Sequence, residues 1–221
     1  MRRILPVIAI AAWILVAGCG STSVKVERQA ETGAFAGEHI VVLLSGYSRE
    51  GVEVKELGSV EASLEWCIRT EAQRVDDKHA FLLPADFRKL VSADITGADG
   101  SKSPDSLLRS LAEPVTATRL AEAQVRYMVL LEATYSTSRA RVSGGQGAIG
   151  AEWKQYSFLK ATILDLKQAR IAGSITSYST GSEGAGLFLI IPIYFTSMTE
   201  SRACAALGKE LARFISGTGT P

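Results

Sequence analysis

The stretch Arg126-Tyr-Met-Val-Leu-Leu-Glu-Ala-Thr-Tyr135 decides the fold. A half-buried strand alternates apolar and polar residues, whereas the middle of this one is apolar on both faces. It therefore reads as a central strand. Upstream, His39-Ile-Val-Val-Leu-Leu-Ser45 is a second β-branched and aliphatic run with the same signature. A polar turn from Gly46 to Gly51 follows, then Val52 to Leu57, which alternates as a short strand or an extended approach. A helix is predicted from Ser59, a good N-cap, to Val75. Ala80 to Leu83 reads as a strand, and Pro84 to Val91 as a short helix with proline in its first turn. Ala93 to Ser103 is a Gly, Asp and Ser loop. Pro104–Ala112 and Thr116–Ala123 read as helices leading into the central strand.

Downstream, Ser143 to Gly150 reads as a flexible glycine connector. Trp153–Leu166 and Ala169–Ser179 are strand candidates joined by a turn at Asp165–Arg170, forming a β-hairpin. The apolar run Leu187 to Phe195 contains Pro192, which disfavours a central strand and places the run at an edge or in a loop. A final helix spans Glu200 to Ser216, with Thr199 as N-cap and Gly217 as the stop. The order is β-α-β-α-α-β-β-β-α. This is an α/β fold, a mixed-sheet sandwich with helices packed on the sheet. One domain, residues 39–217, holds it, and residues 218–221 form a tail.

The chain has 221 residues, 47% of them hydrophobic, and a net charge of +1. That composition supports a packed core rather than disorder. Two of the positive charges, Arg2 and Arg3, belong to the amino terminus, so the rest is close to neutral and offers no basic field for nucleic acid. Arg2 and Arg3 are followed by an apolar stretch, Ile4 to Val16, and by small residues Ala17 and Gly18. A spanning helix needs roughly 20 apolar residues. The shorter run with small residues at its end is the layout of a signal peptide.

Leu15-Val16-Ala17-Gly18-Cys19 resembles the lipobox of bacterial lipoproteins, position for position. The resemblance implies a signal peptide at residues 1–18, and a mature chain that starts at Cys19 with a diacylglycerol thioether and an acylated amine. One acyl chain binds a bilayer only marginally, at about 0.8 kcal/mol per buried methylene, so stable anchoring takes two or more. Gly20 stands where an Asp would retain an enterobacterial lipoprotein, which implies an outer-membrane anchor with the domain in the periplasm. Residues 19–38, mixed in charge and without strong periodicity, read as a lipidated tether.

With Cys19 lipidated, Cys67 and Cys204 remain, an even pair in an oxidising compartment. Cys67 shares a helix face with Leu64 and Ile68. Cys204 lies beside Ala203, Leu207, Leu211 and Phe214. If both helices pack on one sheet face, the two sulfurs meet, and a Cys67–Cys204 disulfide is predicted. Two buried free thiols are the alternative. With His39 and His79 isolated, no metal site is expected.

No catalytic constellation is legible. Ser143 to Gly150 lacks the Gly-Lys-Ser/Thr ending of a phosphate loop. Ser157-Phe-Leu-Lys160 matches a bare S-x-x-K pattern, but in a strand positions three apart point to opposite faces. His39 and His79 read as solvated. Glu71 and Glu132 are the candidate inward acids. Trp66, Trp153 and the run Leu187–Phe195 are read as core in the first instance. Leu187, Ile190, Ile191, Tyr194 and Phe195 are the residues expected at a partner contact if the run is exposed.

The central strand, the hairpin around Asp165-Leu-Lys-Gln-Ala-Arg-Ile171 and the closing helix together resemble a group of envelope proteins. These are the curli-secretion lipoproteins, the TolB amino-terminal domain and the penicillin-binding-protein activator lipoproteins. Gln168-Ala169 stands where that group carries Thr-Gly in the turn. The likeness spans roughly Ile40 to Ile215. It implies a non-catalytic, cofactor-free periplasmic domain that binds or helps assemble an envelope protein or a peptidoglycan-associated partner. An envelope hydrolase with an unrecognised site and a self-assembling structural lipoprotein are the other two classes the sequence allows.

Overall fold

The structure is a computed structural model, and it describes residues 20–33, 37–54, 57–91, 103–145, 148–188, 191–195 and 198–217. The signal segment, Cys19, Ile190 and the tail lie outside the described residues. The strands are β1 (Ser21–Arg28), β2 (His39–Arg49), β3 (Val52–Glu53), β4 (Ala80–Leu82), β5 (Val125–Thr137), β6 (Arg141–Gly145), β7 (Ala148–Asp165), β8 (Arg170–Phe188) and β9 (Ile191–Phe195). The helices are α1 (Gly58–Val75), α2 (Pro84–Leu90), α3 (Pro104–Leu111), α4 (Pro114–Glu122) and α5 (Thr199–Ile215).

All described strands join one sheet in the order β1-β8-β7-β5-β2-β3, with β4 also on β2, β6 on β7 and β9 on β8. β2 runs parallel to β5 and β4, and the other pairs are antiparallel. The sheet is therefore mixed and the class is α/β, as expected.

β5 is central, and its two faces organise the molecule. Tyr127, Val129, Leu131, Ala133 and Tyr135 join a core with Leu64 and Ile68 of α1 and Leu207, Leu211 and Phe214 of α5. Met128 and Leu130 turn the other way, into a second core with Phe87 of α2, Leu107, Leu108 and Leu111 of α3, and Leu120 of α4. Two apolar faces on one strand require cover on both sides, because apolar surface left in water forfeits about 25 cal/mol per Å².

α1 and α5 cross closely. A Cβ on Gly208 would stand 2.7 Å from the Ile68 carbonyl oxygen and 2.9 Å from Glu71 Cβ, so only glycine fits there. One turn earlier, Cys67 and Cys204 are joined, with an S–S distance of 2.07 Å. Both features fix the same helix pair on one sheet face.

Several expectations change. The segment read as a tether contains β1, which pairs with β8 from Ser21↔Thr180 to Arg28↔Gly173. An edge strand buries little, and only Val26 of β1 packs against the core, so the segment shows no apolar periodicity. Arg28 locks its end, lying 4.5 Å from the Phe214 ring centroid and donating to the Phe214 carbonyl at 3.1 Å. The glycine connector is the β6–β7 hairpin, with residues 146–147 outside the described set. The expected order gains β1, β3, β6 and β9, and all three helices read between Pro84 and Ala123 form, one more than that order counts. α1 starts one residue before Ser59, with Leu57 as cap. α5 starts at Thr199 itself, with Met198 as cap in the left-handed region at φ +47°.

One buried acid holds the β2 layer to both helix layers. At the irregularity between Leu44 and Gly46, the Leu44 N–H donates to Glu61 Oε1 at 3.0 Å. The same carboxylate of α1 accepts from Arg88 Nη2 of α2 at 2.6 and 2.8 Å. Glu61→Ala should lower the unfolding free energy by about 2–3 kcal/mol, because a buried N–H loses its acceptor and a partly exposed arginine its partner. Glu61→Gln, which keeps an acceptor, should cost less. Urea unfolding of the two variants checks this.

Candidate functional site

β2 and β5 end side by side at the edge of the first core, and α1 and α5 both begin there. Between them lies a cleft of about 690 Å³, lined among others by Tyr47, Tyr135, Ser59, Ser63, Gln155 and Glu200. That volume falls in the range of about 300–1,000 Å³ common for ligand sites. Its floor is a tyrosine pair, Tyr47 and Tyr135, with ring centroids 5.5 Å apart and planes tilted by 56°. The Cys67–Cys204 bridge forms part of the wall. Trp66 and Met198 also line it, and they are 60% and 70% exposed.

A hydrogen-bonded chain crosses the cleft. Ser157 Oγ donates to Thr199 Oγ1 at 2.9 Å, and Thr199 donates to Gln155 Oε1 at 3.4 Å. Gln155 Nε2 and Trp153 Nε1 both donate to Glu183 Oε2, at 2.6 and 3.2 Å. Thr199 thus serves the strand layer rather than capping its own helix.

Burial holds the Tyr135 hydroxyl well above the ordinary tyrosine range, and the charges of Glu200 and of Tyr47, once ionised, push the same way. Tyr47 is raised for the same first reason and by Glu200, with Arg49 pulling it down. Both phenols therefore stay neutral at physiological pH and can donate hydrogen bonds. Aromatic rings, a thioether, hydroxyls and the carboxylates Glu183 and Glu200 make a site that can hold a partner by contact and hydrogen bonding.

The other candidates are dispersed. Leu187 and Ile191 to Phe195 lie in the β8–β9 hairpin, with Pro192 opposite Leu187, and among the described strands β9 pairs with β8 alone. That edge position is where proline is tolerated. Ser157 and Lys160 occupy opposite faces of β7, since Lys160 is 3.9 Å from Glu132 on the face away from Thr199.

His79 is buried, not solvated: its Nε2 lies 3.0 Å from Ser216 Oγ and 3.4 Å from the Ala212 carbonyl oxygen. His39 opens β2 and is half-buried. Glu132 faces out rather than in, with its side chain 57% exposed. Glu71 is partly buried and pairs with Arg74 and with Lys209 at 3.9 Å. Trp66 faces outward because the core stripe of α1 runs through Glu61, Leu64, Glu65, Ile68 and Ala72. Trp153 is half-buried on its Glu183 bond.

The inward acids are others. Glu61 is one. Glu65 is a second, its carboxyl raised by burial despite the Arg69 charge at 3.2 Å. Asp165 is the third, paired with Arg126 at 2.9 Å and accepting from the Gln168 N–H at 3.0 Å in the hairpin turn.

No family model matches the chain, and no curated protein matches it. Three solved structures are similar to it in part. The PelC dodecamer from Paraburkholderia phytofirmans is 10% identical, with a TM-score of 0.39, over 92% of this chain and 99% of that one. The LpoB C-terminal domain from Salmonella enterica is 13% identical, with a TM-score of 0.29, over 68% and 87%. Lipoprotein GNA1162 from Neisseria meningitidis is 11% identical, with a TM-score of 0.29, over 80% and 99%. At TM-scores below 0.5, these likenesses carry no argument about function.

Two outcomes follow from the cleft. Non-reducing mass spectrometry should find both Cys67 and Cys204 blocked, and reduction should lower the unfolding free energy by about 2–4 kcal/mol, as is typical when a disulfide closes a long loop. The folded state also keeps the Tyr135 proton after an unfolded chain would release it. Stability should therefore fall as pH rises past about 10, and Tyr135→Phe should flatten that fall. Thermal unfolding across alkaline pH measures it.

Proposed function

We propose that the chain is a bacterial envelope lipoprotein, acylated at Cys19, whose periplasmic domain binds another envelope component through the cleft between α1 and α5. The observation that carries the anchor is Leu15-Val16-Ala17-Gly18-Cys19 standing directly before Gly20, which lies against Thr180 and Arg202. A Cβ on Gly20 would meet the Thr180 carbonyl oxygen at 2.9 Å and the Arg202 guanidinium closer still, so the domain begins at the residue after the cysteine. No described helix is long and apolar enough to cross a membrane, and an acyl anchor supplies attachment without one. Exposed Trp66 and Met198 over a tyrosine floor support a contact role, since aromatic and methionine side chains are enriched at binding surfaces. Gly20 favours the outer membrane. The partner is a protein or a peptidoglycan-associated component, and the domain needs no cofactor for this task.

Metabolic labelling with palmitate should mark the wild-type chain and leave Cys19→Ser unlabelled and released from membranes. Photo-crosslinking in cells from position 66 should then capture one recurrent envelope partner, and Met198→Asp should abolish the capture without unfolding the domain. An unlabelled wild type sinks the anchor. Labelling with no recurrent partner sinks the binding role.

A further inference from the structure

We propose that the sheet face around Tyr156, Phe158 and Tyr178 rests on the lipid bilayer, with the cleft turned away from it. This rests on the reading that Cys19 is acylated. The register fixes the geometry. Ser21 pairs with Thr180, Thr180 with Tyr156, and Tyr156 with Ser136, so these four form one row across the sheet. Neighbouring strands lie about 4.8 Å apart, which puts Tyr156 roughly 10 Å from Ser21. Gly20 lies against the Thr180 carbonyl and the Arg202 guanidinium, and Cys19 is the residue directly before it. Cys19 stands two residues before Ser21, so at about 3.5 Å per residue its acyl chains are held within reach of this row.

The face beside that row is aromatic and uncovered. Phe158 is paired with Tyr178 and Thr134, on the side of the sheet opposite to Leu159 and Ala161. Phe158 and Tyr178 are 38% and 39% exposed. Tyr156 and Tyr178 stack, with centroids 6.5 Å apart and an interplanar angle of 23°. Their neighbours by register are hydroxyl residues, Thr134, Ser136, Thr180, Ser21 and Ser23. Charges begin one row on, where Lys160 lies 3.9 Å from Glu132. Among the described residues, the helices on this side cover the opposite end of the sheet, at Met128 and Leu130 of β5, Val41 and Leu43 of β2 and Leu164 of β7.

Tyrosine with a wet hydroxyl and a buried ring is suited to the headgroup level of a membrane, and phenylalanine beside it can enter the acyl boundary. The other sheet face carries α1, α5 and the cleft, which leaves the cleft open to the periplasm.

The test uses the processed lipoprotein reconstituted in vesicles of phosphatidylethanolamine and phosphatidylglycerol, with and without acyl-brominated phospholipid. Trp66 and Trp153 both lie on the helix side of the sheet, so the wild-type emission should not be quenched. Phe158→Trp adds a third indole on the proposed face, and bromine should remove that added emission. Tyr178→Trp repeats the measurement should the first variant fold poorly. Quenching of the wild-type tryptophans instead would turn the molecule over, with the cleft against the bilayer. No quenching in either variant, or quenching blocked because two copies pair through this face as judged by sedimentation, would also overturn the proposal. Each of these results leaves the acylated reading standing if the intact mass includes the acyl groups. A mass without them overturns both.

Discussion

A strand with apolar side chains on both sides must be covered twice, and β5 is that strand. Tyr127, Val129 and Leu131 demand one helix layer while Met128 and Leu130 demand another. Because β2 lies parallel to β5, the chain needs a crossover between them, and α1 to α4 supply it on both sides. α5 then returns to the α1 side, where Gly208 and the Cys67–Cys204 bridge set how near the two helices lie. The cleft is a product of this arrangement. It opens where the paired helices start and where β2 and β5 run out of core to cover, leaving Tyr47 and Tyr135 as its floor.

Much of this was legible because burial leaves a pattern in the sequence. The uninterrupted apolar runs of β2 and β5 marked central strands. The spacing of Leu64, Cys67 and Ile68 and of Cys204, Leu207 and Leu211 turned both cysteines inward before any contact was known. Asp165–Arg170 was recognisable as a turn, and Asp165 holds it by accepting the Gln168 N–H. What stayed hidden lacks such a pattern. β1 is stabilised by backbone pairing along one edge, and its alternating small and charged residues read as linker. His79 is buried by partners far away in sequence, while Glu61 and Glu65 lie at helical spacing with Leu64, Ile68 and Ala72, a phase that their charge disguised. The outward position of Trp66 could have been found, since it lies two residues from both Leu64 and Ile68 and so off their helix face. The cleft tyrosines could not, because each is simply the next inward residue at the end of a strand.

On the proposed reading the two sheet faces have different neighbours. The helix-covered face carries the disulfide, the exposed Trp66 and Met198, and the neutral phenols. The open face carries stacked tyrosines and Phe158 among hydroxyls. A thin α/β layer of this kind can separate a lipid-facing surface from a partner-facing one across a single sheet. The buried pair Arg126–Asp165 ties β5 to β7 at the far end of the sheet, and the Glu61–Arg88 contact joins α1 to α2 beside the cleft.

β1 has a consequence for how the domain is made. The strand that seals the edge of β8 is the first strand of the described domain to be synthesised, yet its partner lies near the other end of the chain. Such distant pairing is slow to form, and until β8 has been made β1 offers a bare row of amide and carbonyl groups to any passing strand. The waiting first strand is thus exposed to mispairing for most of synthesis, and a chaperone that shields an extended segment is the kind of helper its biogenesis calls for.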